Sequence, residues 1–386
     1  MRPIARLVAL DHLRGFVVAV VVLHHTILAY CAFGSIDYRH YILSTAPIVD
    51  TRRWIGFDIM VMLNDSFFMP LMFLLSGLFV WNGLVRNGTR AFLAGRILRL
   101  GVPFIVSVLT LVPLAYYPSW LQSGGAPGFP AFWIAMVTAG PWPSGPPWFV
   151  GVLLLFDAAI ALAFAALGRP GTVAKARPVP APRRCFGVFL ACLLIAYLPM
   201  LAAFGPSRWI AVGPLAIQAS RIGLYAICFA AGVRFGANGL QHDKARFADS
   251  LIRQWPTWAL LAALAGTTLI GTQIAQMRMG VELPNWAWLN IHGIAVATFC
   301  ATTCFALPAI FLRFCNEHGT LWHSLAVSSY GIYLLHYPIV TWLQYALLTA
   351  PLNAATKAVV TFAAALLLSW VGTILLRRGA GASRVL

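Results

Sequence analysis

Ten stretches of about 20 residues, nearly free of charge, recur along the chain and set the pattern of its hydrophobic positions. They run approximately over 12–33, 59–82, 97–117, 148–167, 186–204, 214–235, 256–275, 286–312, 325–348 and 356–376. Each is long enough to cross roughly 30 Å of hydrocarbon as an α-helix. Backbone polar groups in lipid must be satisfied within the segment, so a helix is the structure such runs predict. The expected fold class is all-α: a polytopic integral membrane protein of about ten transmembrane helices. The whole chain, 1–386, is read as one membrane-embedded domain. A Pro-, Arg- and small-residue-rich segment, 168–184, is expected to be a flexible linker between two five-helix halves. Residues 118–147 carry no charge and many aromatics, and are expected to dip into the interface.

Composition agrees with the segment lengths. Hydrophobic residues make up 60% of the chain and charged residues 10%, against roughly 25% charged in soluble domains. The net charge of +17 would suggest nucleic acid in a soluble protein. Here twenty of the 27 Lys and Arg fall on one side of the ten-span arrangement and six on the other, with Arg221 inside a span. That is the asymmetry of cytoplasmic loops. It places both termini in the cytoplasm and makes the charge a membrane signal; no nucleic-acid partner is expected. The retained first helix lacks the features of a cleaved signal. The expected location is the inner (plasma) membrane, multi-pass.

Seven cysteines are spread through apolar runs without a CxxC pair. They read as packing residues, and no metal site is expected. Cys300 and Cys304 share a helix face but lack further ligands in the sequence.

Candidate chemistry begins in the first helix. Arg14 and His25 lie about three turns apart on nearly one face, about 16 Å along the axis. Asp11 shares that face. An imidazole near the bilayer centre is costly, and ionisable groups there usually face a polar cavity and act in function. His25 suits proton transfer near neutral pH, and a packing histidine bonded to another helix is the competing reading. His24 points about 100° away and reads mainly as packing.

Five stretches in order carry a family likeness. Arg14, ten residues and His25 form the first, within Leu10-Asp11-His12-Leu13-Arg14-Gly15. The second is Phe73-Leu74-Leu75-Ser76-Gly77. Arg96-Ile97-Leu98-Arg99, followed by Pro103, is the third. Then come Pro147-Trp148-Phe149, and Ser329-Tyr330-Gly331-Ile332-Tyr333-Leu334-Leu335-His336-Tyr337-Pro338. Together they resemble the acyltransferase-3 family of membrane O-acyltransferases. The compact chain is similar to its glucan-modifying branch, although acceptor specificity does not carry over.

The resemblance implies acyl-CoA, or a related thioester, as co-substrate, with no permanently bound cofactor. The acceptor it implies is an extracytoplasmic carbohydrate or glycolipid hydroxyl. Arg14 and His25 become the catalytic candidates. Arg14, Arg96 and Arg99 become the candidates for the CoA phosphates, with positive-inside anchoring equally open for Arg96 and Arg99. Whether His25 is a general base or a transient acyl carrier stays open. Asp11, Asp65, Asp157, Arg221, Trp148 and His336 are candidates for lining the substrate cavity. Asp157 and Arg221, at similar depth, are expected to pair, or to line the cavity. The main rival is an ion-coupled carrier, which buried Arg, Asp and His would also suit.

Overall fold

The computed structural model describes residues 3–139, 142–143, 145–167, 180–237, 244–278, 283–317 and 319–379. Fourteen helices are found among them. They are α1 Pro3–Leu28, α2 Ile55–Gly77, α3 Val80–Arg96, α4 Val102–Val106, α5 Val112–Gln122, α6 Phe129–Ala139 and α7 Trp148–Ala166. The remainder are α8 Pro182–Phe204, α9 Ile222–Ala237, α10 Lys244–Arg253, α11 Trp255–Arg278, α12 Asn285–Phe314, α13 Thr320–Ala346 and α14 Ala354–Arg377. Eight helical segments are long and apolar enough to cross a membrane, so the all-α polytopic expectation holds. The outer faces of α8, α11 and α14 expose Ile195, Leu264, Leu367 and Leu375. Such faces belong against lipid, since soluble surfaces rarely carry large contiguous apolar patches.

Several boundaries differ from the hydropathy reading, each for a local reason. Residues 214–218 are not helical: β1 (Trp209–Val212) and β2 (Leu215–Gln218) form an antiparallel hairpin before α9. Gly213 has φ 59°, the positive value a two-residue hairpin loop requires at its first position. The basic stretch around Arg86 and Arg90 is helical as well. α3 is amphipathic and turns at Gly88, where φ is 74°. The uncharged stretch after residue 117 contains an extra helix, α6. Most of the expected flexible linker, residues 168–179, lies outside the described residues; α8 begins just after it at Pro182.

From Val80 to Gln122 the chain is one bent helical rod. It is interrupted by π-helical turns at Ile97–Gly101 and Ser107–Leu111. A helical proline lacks its N–H and repels the carbonyl four residues earlier. Pro103, Pro113 and Pro118 therefore free the carbonyls of Arg99, Leu109 and Leu114. Each is taken by an aromatic donor: the Tyr330 hydroxyl (2.7 Å), Trp133 Nε1 (2.7 Å) and Trp342 Nε1 (3.0 Å). Two of these donors come from α13, which locks that helix against the rod.

α1 and α13 run parallel through the interior. Arg14 Nε donates to Ser329 Oγ (3.3 Å) near one end, and Gln344 Nε2 donates to the His25 and Thr26 carbonyls near the other (3.0 and 2.9 Å). Gly15 rests on the Ala326 backbone. α2 meets α9 as closely, because Gly77, Gly232 and Gly236 leave room for backbone contact. A Cβ built on Gly232 would lie 2.1 Å from the Leu74 carbonyl oxygen. Gly232→Val is expected to destabilise the protein by about 1–3 kcal/mol through overpacking, read as a lowered midpoint of thermal unfolding in detergent.

Candidate functional site

His25 lies in the seventh turn of α1, which makes it a group of the bundle's interior. Its ring stands 5.3 Å from that of His336, 4.9 Å from Tyr337 and 5.4 Å from His24, centroid to centroid. His336 is fully buried. Its Nδ1–H donates to the Tyr333 carbonyl (2.7 Å), which leaves the lone pair on Nε2. That Nε2 and the Nδ1 atoms of His24 and His25 are buried without a hydrogen-bond partner. Buried polar atoms are seldom left so; two of these belong to the neighbouring rings of His25 and His336, while His24 packs on Phe68 at 4.9 Å. Sequence spacing alone does not bring His336 to His25; the parallel packing of α13 on α1 does.

Arg14 lies toward the other end of α1. It pairs with Asp11 at 3.1 Å as well as donating to Ser329. Both line a cavity of about 730 Å³ between α1, the end of α2, and α3 with the first π turn. Arg86, Arg96 and Arg99 also line it, with Ser76 and Asn87. Arg14, Arg96 and Arg99 thus line one cavity, with Arg86 as a fourth guanidinium group. Its lining ends at Arg14 and Leu75 and does not include His25. Between them on the same face stand Val18, Val21 and Val22, all buried.

The expected pairing of Asp157 with Arg221 is not what the structure shows. Asp157, fully buried on α7, pairs with Arg96 at 3.1 Å; Arg221 pairs with Asp65 at 2.9 Å and also donates to the Asp65 carbonyl. Similar depth along the sequence says nothing of direction around the bundle. α7 packs on the rod that carries Arg96, whereas α9 packs on α2. One consequence is that Arg96 is occupied structurally, and the Arg99 side chain remains exposed in the cavity. Trp148, the first residue of α7, stands among other aromatics. It packs on Tyr225 (5.5 Å) and Trp209 (5.9 Å).

Two clusters were not visible in the sequence. Lys357 and Asp50 form a wholly buried ion pair at 2.7 Å. Cys228 of α9 joins Cys300 and Cys304, the three sulfurs lying within 4.8 Å of one another, so the pair on α12 does have a third thiol beside it. That donor set suits a soft, thiophilic ion and not a hard one.

Ionisable side chains sealed inside a bundle of apolar helices mark the molecule as a working membrane protein, an enzyme or a carrier, and not a passive anchor. The comparison of families decides between these. Residues 7–376 match the acyltransferase domain model, and the chain belongs to the acyltransferase-3 family of membrane O-acyltransferases. Its activity in general terms is acyl transfer to the hydroxyl of a carbohydrate-type acceptor. No curated protein and no solved structure matches the chain.

Proposed function

We propose that the protein takes an acyl group from a cytoplasmic acyl-CoA and passes it, within the bilayer of the inner membrane, to a hydroxyl of an extracytoplasmic glycan or glycolipid. The observation that carries this reading is the bare imidazole cluster of His25 and His336, three helical turns from an arginine-lined cavity on the same face of α1.

The cavity end is the cytoplasmic end in this reading, because the positive-inside asymmetry points that way. The CoA phosphates bind among Arg86, Arg99 and Arg14, with Asn87 as a further donor. The pantetheine arm then runs along α1 toward His25, a distance of about 16 Å. It displaces the packing of Val18, Val21 and Val22 as it enters.

At His25 the acceptor hydroxyl loses its proton to the imidazole as its oxygen attacks the thioester carbonyl carbon. The carbon–sulfur bond breaks, the CoA sulfur leaves as thiolate, and the imidazolium returns the proton to it. Protons balance, and no further cofactor is needed. His336, its tautomer fixed by the Tyr333 carbonyl, presents a lone pair beside His25 and stabilises the imidazolium.

The deciding experiment is acyl-CoA turnover by the purified protein in lipid nanodiscs. A carrier releases no CoA, whereas this reading requires CoA release that depends on His25. Arg99→Gln is expected to raise the KM for acyl-CoA roughly tenfold, the loss of one charge-assisted contact, with little change in kcat. Steady-state kinetics separate the two.

A further inference from the structure

The functional reading leaves one constellation unused. It lies on the far side of His24, around the start of α9. Asp65 and Arg221 form their ion pair there, and both act electrostatically on His24. Asp65 is not sealed: its side chain is 37% exposed. Every residue of α2 from Asp58 to Asp65 is partly exposed, whereas Ser66 to Leu75 are all buried. Eight consecutive residues cover all sides of a helix. The half of α2 nearer its N-terminus is therefore the less tightly enclosed one, and the other half is packed.

Four polar atoms at this place are buried without a partner: His24 Nδ1, Asn64 Nδ2, Ser220 Oγ and Arg221 Nε. Ser220 is fully buried. Orphaned donors and acceptors on His24, on the ion pair and on the residues beside it in sequence ask for a ligand rich in hydroxyls, or for the water it displaces. Beside them is an aromatic wall. Tyr225, one turn beyond Arg221 on α9, acts on it electrostatically, Trp148 packs on Tyr225, and Trp209, carried by the β1–β2 hairpin, meets Trp148 edge-on at 5.9 Å. Trp209 is 44% exposed.

We propose that the space between this half of α2 and the β1–β2 hairpin is the acceptor subsite, in which a sugar ring lies against Trp209 and Trp148 while its hydroxyls bond Asp65, Asn64 and Arg221. A carbohydrate is what such a set recognises. Its C–H faces stack on indole, and its hydroxyls both donate to a carboxylate and accept from a guanidinium and an amide. The chain of neighbours Trp209, Trp148, Tyr225, Arg221, Asp65 and His24 leads from the exposed hairpin to His25. The subsite therefore delivers a hydroxyl from the side opposite the arginine cavity. It rests on the acyl-transfer reading above.

The test uses Trp209, which lies outside the reacting groups. Trp209→Ala, Trp209→Phe and His25→Ala are expressed in cells. Base-labile acyl groups are then measured on the pooled envelope carbohydrate, and coenzyme A binding is measured on the purified proteins. Trp209→Ala is expected to lower the ester load roughly tenfold, a stacking contact's worth, with CoA affinity unchanged; Trp209→Phe restores most of the load. An unchanged load in Trp209→Ala overturns the subsite. So does a loss that is shared with CoA binding or not restored by Phe, since that marks a folding role. If His25→Ala keeps a full ester load, the catalytic reading fails and the subsite with it; if only His25→Ala lowers the load, the subsite alone fails.

Discussion

His25→Ala is expected to lower acyl transfer by at least a hundredfold while leaving the bundle folded. General acid–base catalysis by one positioned side chain contributes about 10²–10⁴-fold, and no second group in the cluster replaces it. His336 is turned by its bond to the Tyr333 carbonyl, and the packing of His24 on Phe68 at 4.9 Å holds it on another face. Structural loss is small because the His25 side chain makes no hydrogen bond that must be broken; Nδ1 has no partner. The bonds at this turn run through its carbonyl, which Gln344 holds and alanine keeps. Wild-type thermal unfolding with CoA release reduced to background is the expected pair of results. Wild-type turnover would remove His25 from the chemistry. The same protein separates the two roles open for the ring. If His25 carries the acyl group, wild-type protein given acyl-CoA without acceptor gains the acyl mass. If it is a base, the intact mass does not change.

Much of this was legible because a bilayer imposes length and polarity on a helix directly. The run after Arg14, its spacing to His25 and the pairing of Arg96 with Arg99 each depend on one helix or its immediate neighbour. What sequence could not give is azimuth. Asp157 and Arg221 were matched by depth, yet the glycine contact of α2 with α9 turns Arg221 toward Asp65. The packing of α7 on the bent rod turns Asp157 toward Arg96. The hairpin at Trp209–Gln218 was hidden because its strands are as apolar as the helix that follows. Gly213 and Pro214 were the signal, and a turn reading of that pair would have found it. The three prolines of the rod could also have been read further. Each removes a helical bond, so three carbonyls needed outside donors, and Tyr330 in the Ser329–Pro338 stretch proves to be one of them.

Lys357→Met is the substitution expected to cost most in stability. Lys357 and Asp50 are both essentially inaccessible, at 0% and 1% side-chain exposure, and 2.7 Å apart. The ammonium also donates to the Leu348 carbonyl (3.1 Å), while the Asp50 carboxylate accepts from the Arg52 backbone N–H (2.8 Å). The pair ties α14 to the segment between α1 and α2. That segment is fixed further by Gln122, which donates to and accepts from the Val49 backbone (2.6 and 3.1 Å), and by Asp58, which accepts from the Ala32 and Phe33 N–H groups. Removing the ammonium strands a carboxylate in an apolar setting, at about 3–5 kcal/mol. Asp50→Asn with Lys357→Met removes both charges and is expected to recover much of the loss, because desolvation of the two ions offsets most of their attraction. Unfolding of wild type, both single variants and the double variant forms the cycle that measures this. A coupling near zero would show that the pair adds nothing to holding the outer segment. A large one also predicts lower turnover in Lys357→Met, because Asp50 N–H and Trp54 N–H bond the carbonyls of Ala29 and Tyr30, one turn beyond His25. Loosening that turn lets the imidazole drift from His336.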